Sequence, residues 1–295
     1  MLETFEDQDV DVAGTRIHAA VAGDGPPVLL LHGYPQTHLM WHRVAPGLTD
    51  RHTVVLSDLR GYGDSSRPAS SADHASYSKR VMAEDQVGLM RALGFDSFAV
   101  VGHDRGARVA HRLCLDRPEA VTRVALLDIV PTRHVFGHVD RALAQAYYHW
   151  FFLAQEPDLP ERLIGGDPGY FLRRKLAQWS AGSGTEAFDP AAVEEYVRCF
   201  ADPEVVRASC EDYRAGASID LEHDEADAAA GLRVECPALV LWGGEGFVGR
   251  AYDVLEVWRG YAADVRGQAL PGGHFLAEEA PEDTLAALRE FLGRG

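Results

Sequence analysis

The chain has 295 residues, 46% of them hydrophobic, and a formal net charge of −17. That charge argues against nucleic acid or an anionic membrane as a partner, since neither is attracted to an acidic surface. The four cysteines, Cys114, Cys199, Cys210 and Cys236, form no CxxC pair, which argues against a zinc site or a disulfide framework and for reduced thiols. The first residues, MLETFEDQDVDVAG, are acidic with no apolar signal region, and no run approaches the ~18 apolar residues of a membrane span, so the expectation is a soluble cytoplasmic protein.

Asp9 to Ala22 reads as a hairpin that turns at Ala13-Gly14. Val28–Leu31 is a short continuous apolar run, suited to a strand buried on both faces. The loop His32-Gly33-Tyr34-Pro35 follows, then a helical stretch around Met40–Leu48. Thr53–Leu56 is the next strand, ending at Asp58, and Arg60-Gly61-Tyr62-Gly63-Asp64-Ser65-Ser66 is turn-rich. Ser78–Leu93 has helical periodicity. Phe98–Val101 and Val121–Leu127 are strands separated by a helix over Arg105–Asp116. From Pro131 to Arg233 strand signal is scarce, and helical stretches dominate, at Val139–Gln155, Tyr170–Trp179 and Ala191–Phe200. Strands return at Ala238–Trp242 and Val265–Leu270, and a helix closes the chain near Pro281–Leu292. The expected fold class is α/β: residues 1–130 and 234–295 build one core with a mostly parallel central sheet, and residues 131–233 form an inserted helical cap over the carboxyl ends of its strands.

The segment Val100-Val101-Gly102-His103-Asp104-Arg105-Gly106 is the informative one. It has the strand–turn–helix setting of a nucleophile elbow, Gly-x-nucleophile-x-Gly, with Asp104 at the exposed centre. An aspartate side chain ordinarily titrates near ~3.9, so it is ionised at neutral pH and needs no base to attack. Displacement at an sp3 carbon gives an ester, which water can open; a serine would give an inert ether. Asp104 therefore points to displacement at saturated carbon followed by hydrolysis.

The second step needs a base. His274, in Leu270-Pro271-Gly272-Gly273-His274-Phe275 after the last strand, is the candidate, and the chain order nucleophile, acid, histidine is that of α/β hydrolases. Two acids could orient it: Asp128, after the strand ending Leu126-Leu127, is favoured, and Glu245, after Leu241-Trp242, is the alternative. His32 reads as a residue that orients its loop, and His103 as one that packs locally. The oxyanion of ester hydrolysis would take the backbone N–H of Arg105 and of Tyr34. Arg105 and Arg108 sit at a helix N-terminus, where cations oppose the macrodipole, and this suggests a different use: binding a substrate carboxylate beside Asp104.

The segment His103-Asp104-Arg105-Gly106-Ala107-Arg108 resembles the elbow of the fluoroacetate (haloacetate) dehalogenases, an α/β-hydrolase-fold family. The resemblance extends to His32-Gly33-Tyr34-Pro35-Gln36-Thr37, Asp128-Ile129-Val130-Pro131-Thr132, Tyr148-His149-Trp150, Cys210-Glu211-Asp212-Tyr213-Arg214-Ala215-Gly216 and Gly273-His274-Phe275-Leu276. It implies Asp104 as nucleophile, His274 as base and Asp128 as its partner. It implies a carboxylate held by Arg105 and Arg108, and a departing halide held by His149, Trp150 and Tyr213. Indole N–H, phenol O–H and imidazole N–H are suitable donors for a poor, strongly hydrated leaving group. The substrate implied is a small anionic 2-halo carboxylate and the assembly a homodimer. No metal or organic cofactor is required, since nucleophile, acid and base are all side chains.

Three other readings compete. An epoxide hydrolase also uses an Asp nucleophile, with cap tyrosines that Tyr147, Tyr148, Tyr170, Tyr196 or Tyr213 could supply, but an epoxide has no charge for two arginines to pair. A carboxylesterase lacks its elbow serine here. A non-catalytic ligand-binding relative has no reason to keep nucleophile, acid and base together.

Overall fold

A computed structural model describes residues 1–293 of the chain. Its strands are β1 (Glu6–Val12), β2 (Thr15–Ala22), β3 (Pro27–Leu31), β4 (Thr53–Ser57), β5 (Phe98–His103), β6 (Val121–Leu127), β7 (Ala238–Gly243) and β8 (Val265–Leu270). All eight form one sheet in the order β1-β2-β4-β3-β5-β6-β7-β8. The β1–β2 hairpin and the β2–β4 pair are antiparallel, and every pair from β4 to β8 is parallel. Burial explains the sequence patterns. β5, in the middle, is buried at every residue, whereas the edge strand β1 alternates between exposed and half-buried positions.

Helices α1 (Lys79–Ala92) and α2 (Arg105–Asp116) pack on the sheet beside β1 and β5. Ser78 caps α1, its hydroxyl accepting from Val81 N–H at 3.3 Å. The region expected to be helical around Met40–Leu48 is instead two single 3₁₀ turns, His38–Trp41 and Ala45–Leu48. Pro46 has no N–H and its ring obstructs a preceding helical turn, which prevents one continuous helix.

Between β6 and β7 the chain makes an all-helical excursion: α3 (Thr132–Gly137), α4 (Arg141–Ala146), α5 (Tyr148–Leu153), α6 (Leu159–Gly165), α7 (Pro168–Trp179), α8 (Pro190–Phe200), α9 (Pro203–Gly216) and α10 (Ile219–Ala230). Three of these start with the same signal, Asp-Pro. Asp167, Asp189 and Asp202 each accept a first-turn N–H at 2.8–2.9 Å, with proline at the first helical position. The stretch Val139–Gln155 is not one helix but two, broken at Tyr147 (φ −108°, ψ 31°). In a straight helix residues 147 and 149 would point some ~200° apart; after the break both reach the same cavity. The chain ends with α11 (Phe247–Ala251), α12 (Val254–Arg259), α13 (Leu276–Glu279) and α14 (Pro281–Leu292).

Candidate active site

Asp104 lies immediately past the carboxyl end of β5, with β3 on one side and β6 on the other. Its backbone is left-handed (φ 46°, ψ −113°), which is costly for a residue with a Cβ and marks the sharp elbow. The flanking glycines make the turn possible. A Cβ on Gly102 would collide with Gly106 O and Ala107 Cα, and one on Gly106 with the backbone at Leu31 and His32. Gly33 is equally constrained, since a Cβ there would strike the Asp104 side chain.

The carboxylate's two oxygens are differentiated. Oδ1 accepts the Tyr34 N–H at 2.9 Å. Oδ2 faces His274, whose Nε2 is 3.8 Å away, beyond hydrogen-bond reach. His274 Nδ1 lies 2.6 Å from Asp128 Oδ2, and Asp128 Oδ1 accepts the Gly243 N–H at 2.9 Å, so both carboxylate oxygens of Asp128 have fixed tasks. Asp128 also has a left-handed backbone, φ 52°. Glu245 stands exposed on the cavity wall, and the carboxylate behind the imidazole is that of Asp128.

Burial disfavours the imidazolium of His274, but the hydrogen bond and charge of Asp128, with the charge of Asp104, outweigh it and raise its pKa above the usual value. Burial likewise pushes the Asp104 carboxyl upward, and the charges of His274, Arg105 and Arg108 reverse this and hold it below the ordinary range. His103 is driven down to about 3 by burial and by His274, so it is neutral; its Nε2 donates to the His274 carbonyl at 2.8 Å. His32 Nδ1 donates to Gly33 O at 2.9 Å and its Nε2 accepts from Leu59 N–H at 3.1 Å. His32 behaves as the loop-orienting residue expected, whereas His103, expected to act locally, reaches across to the loop of His274.

The arginines are less free than their sequence positions suggest. Arg105 directs Nε and Nη2 onto Asp212 Oδ2 and Oδ1 at 2.9 and 2.6 Å, with Nη2 also donating to the Asp212 carbonyl. Arg108 Nη1 donates to Val130 O at 3.0 Å and Thr132 Oγ1 at 2.9 Å, and its buried Nε has no partner. Neither guanidinium therefore has its full fork available, and among the described residues Nη1 of Arg105 and Nη2 of Arg108 have no protein acceptor.

A cavity of 530 Å³ opens above Asp104, Asp128 and His274. His149 and Trp150 line it, while Tyr213 lies behind His149, ring centroids 5.5 Å apart. Trp150 stacks on the Arg108 guanidinium at 4.5 Å. Around His149 four buried polar atoms have no protein partner: Tyr34 Oη, His149 Nδ1, Trp179 Nε1 and Tyr213 Oη. Buried polar groups are nearly always paired, so this concentration of unpaired ones needs a ligand to explain it. Burial and the cation of Lys175 keep His149 well below the usual histidine range, hence neutral.

Sequence reasoning missed the side chains of Trp179, whose ring lies 4.4 Å from His149, and of Tyr34, which it used only as a backbone donor. Tyr147, named from sequence among the cap tyrosines that could serve an epoxide, stands in the cavity wall. The Asp-Pro cap at Asp202 was a readable signal for α9, the helix that carries Asp212 and Tyr213. His18, His38 and Asp58 are close enough together to be considered for a metal, but Asp58 is already occupied: Oδ1 accepts from His38 N–H and faces Nδ1, and Oδ2 accepts from Asp64 N–H.

A family model of the alpha/beta hydrolase fold matches residues 26–281. A fluoroacetate dehalogenase from a Burkholderia species is 49% identical over 292 residues, covering 99% of this chain and 95% of its own. A soluble epoxide hydrolase from a Corynebacterium species is 34% identical, covering 95% of both chains. Among solved structures, an alpha/beta hydrolase from Nostoc sp PCC 7120 superposes with a TM-score of 0.98 at 57% identity over 100% of both chains. A Pseudomonas aeruginosa protein named as an epoxide hydrolase, solved as a variant with bound MFA, gives 0.93 at 47% identity over 99% of this chain and 97% of that one. The chain belongs to the α/β-hydrolase fold and, within it, to the fluoroacetate/haloacetate dehalogenase family.

Proposed function

We propose that the protein is a hydrolytic dehalogenase that converts haloacetates, fluoroacetate and chloroacetate, to glycolate and halide. The observation that carries this reading is the Asp104 carboxylate: Oδ1 is tied to the Tyr34 N–H and Oδ2 is left free toward the cavity, with a His274–Asp128 pair behind it.

In the first step Asp104 Oδ2 attacks the α-carbon of the substrate. The new C–O bond forms as the carbon–halogen bond breaks, and the halide departs with the bonding pair. His149, Trp150 and Tyr213 are assigned to the halide, and the unpaired His149 Nδ1 and Tyr213 Oη support that assignment. Arg105 and Arg108 are assigned to the substrate carboxylate through the nitrogens that Asp212, Val130 and Thr132 leave unused. In the second step His274 Nε2 takes a proton from water, and the hydroxide attacks the ester carbonyl carbon of Asp104. Negative charge then develops on Oδ1, where the Tyr34 N–H already donates; Arg105 N–H, first in α2, is the second donor in this scheme. As the tetrahedral species collapses, the C–O bond to the substrate breaks, the leaving glycolate oxygen takes the proton from His274 Nε2, and the new Asp104 carboxyl, with one oxygen from water, loses its own proton to solvent to restore the carboxylate. No step calls on a metal or an organic cofactor.

Epoxide hydrolysis is the second reading. A cavity of 530 Å³ exceeds what a haloacetate needs, and Tyr147 stands in its wall. The test is halide release from fluoroacetate and chloroacetate beside diol formation from a styrene-oxide-type epoxide. Halide release with no diol supports the dehalogenase; diol with no halide overturns it. A cytoplasmic, homodimeric protein completes the proposal. No helix among the described residues is long and apolar enough to cross a membrane.

A further inference from the structure

Arg105 adjoins Asp104 in sequence, and a free guanidinium there would have the nucleophile itself as its nearest counter-ion. Paired in that way, Asp104 would be a poor attacking group, and Arg105 would have nothing to offer a substrate. The cap supplies a different partner. Asp212, wholly buried on α9, receives two donors on each carboxylate oxygen: Arg105 Nη2 and Lys79 Nζ on Oδ1, Arg105 Nε and Tyr62 Oη on Oδ2. All three donor residues belong to the core side of the molecule. The next residue on the helix, Tyr213, lays its ring over the guanidinium, 4.2 Å from Cζ. One turn further on, Gly216 leaves room for it, since a Cβ there would lie 3.1 Å from Nη2 and 3.6 Å from Nη1. Positions 212, 213 and 216 of one helix therefore grip an edge, the face and the end of a single guanidinium.

We propose that Asp212 is a positioning residue: it holds Arg105 off the Asp104 carboxylate and turns it so that Nη1 faces a small carboxylate bound beside the nucleophile. The same ion pair fixes Tyr213, on the adjoining position of α9, above the elbow. A carboxylate is required for this. An amide would offer one acceptor oxygen where four charged or phenolic donors now converge on two, and would leave the guanidinium to fall back on Asp104. The inference rests on the haloacetate reading for the identity of the carboxylate ligand.

The experiment uses glycolate as the probe, binding being read by intrinsic tryptophan fluorescence, so that it does not depend on carbon–halogen cleavage. The proteins are the native enzyme, D212N, R105K and the double variant, each with its melting temperature recorded. The expected result is a Kd at least tenfold higher in D212N, and no further loss when D212N is added to R105K, because Asp212 acts through Arg105. On chloroacetate, KM should rise in D212N more than KM for the uncharged chloroacetamide does. Should D212N fail to fold, Gly216→Ala serves instead: its methyl displaces the guanidinium by a few tenths of an ångström without removing a charge, and should weaken glycolate several-fold at unchanged melting temperature. Native-like glycolate affinity in a folded D212N or G216A, or losses that simply add in the double variant, would overturn the proposal. So would a native enzyme that binds neither glycolate nor acetate. Glycolate binding without halide release would instead count against the dehalogenase reading alone.

Discussion

His274 Nε2 stands 3.8 Å from Asp104 Oδ2, close enough to feel its charge and too far to hydrogen-bond to it. That charge helps to raise the imidazole's pKa, after the hydrogen bond and charge of Asp128. When Asp104 becomes an ester in the proposed reaction, its charge disappears and that contribution goes with it. The base therefore becomes more readily neutral at the step that requires a neutral base. The two half-reactions should respond differently to pH. Asp104 titrates below the usual carboxylate range, so single-turnover ester formation from chloroacetate should be flat from about pH 5 to about pH 9. Ester hydrolysis should fall on the acid side through one ionisation. Rapid-quench measurement of both steps checks this, and an ester-formation rate that tracked hydrolysis across the range would sink it.

Removing the base should separate the steps. His274→Asn keeps the ring's place with a side chain that cannot take the proton from water. Incubated with chloroacetate, this variant should gain the mass of one carboxymethyl group, and peptide mapping should locate it on Asp104. Modification at any other residue contradicts the assignment of the nucleophile.

The halide assignment predicts a difference between leaving groups. Fluoride is small and hard, and depends on hydrogen-bond donors more than chloride does. Trp150→Phe keeps an aromatic ring beside Arg108 and removes the indole N–H. Defluorination should drop on the order of 10²-fold, as when one oxyanion donor is lost, and dechlorination less. Tyr213→Phe should act in the same direction. Comparing kcat/KM for both substrates cancels shared effects on carboxylate binding. Equal losses would make Trp150 a packing residue.

Arg108→Leu should cost at least ~2 kcal/mol in kcat/KM for haloacetates, the range of a lost charged hydrogen bond. Haloacetamide, without the negative charge, should be a poor substrate of the native enzyme. Equal turnover of acid and amide would refute carboxylate recognition.

One prediction concerns stability. Glu278, on α13, is buried and bonded to Tyr196 Oη at 3.0 Å and to Gln36 Nε2. Burial raises its pKa to about 8, despite those hydrogen bonds. The folded protein therefore holds a proton here that the unfolded chain releases near the ordinary carboxylate pKa. The associated stability is present at low pH and is lost as pH rises through about 8. Glu278→Gln carries no such penalty. Its stability relative to the native protein should rise between about pH 5 and pH 8 by on the order of 3 kcal/mol. Urea melts at both pH values measure this; a pH-independent difference would mean that Glu278 stays ionised in the fold.

Much of the architecture was legible because strand and helix signals here are local. The run Val121–Leu127, the helix after Asp104 and the strand Val265–Leu270 appear where periodicity sets them. The elbow was legible for the same reason: Gly102, Asp104 and Gly106 all fall within one five-residue segment. Other features depend on contacts across long stretches of chain. The pairing of Arg105 with Asp212 spans 107 residues and cannot be read from either neighbourhood. The break at Tyr147 likewise has no Gly or Pro to announce it; it is visible in the packing of Tyr147 on Phe247 and Trp150, ring centroids 4.8 and 5.8 Å apart.

The cap leaves the sheet after Leu127 and returns at Ala238, and the two strands it joins lie side by side, Leu127 opposite Leu241. The excursion thus leaves at the carboxyl end of one strand and rejoins at the start of its parallel neighbour, where Ala238 lies opposite Val124. The entropy of closing a loop grows only with the logarithm of its length, so this long crossover costs about 2 kcal/mol more than a minimal helical one would. The sheet that carries Asp104, Asp128 and His274 is correspondingly insensitive to what is threaded between its sixth and seventh strands. In the proposed reaction the residues assigned to the leaving group, His149, Trp150 and Tyr213, all lie on that excursion, so they can be rewritten while Asp104 beneath them stays as it is.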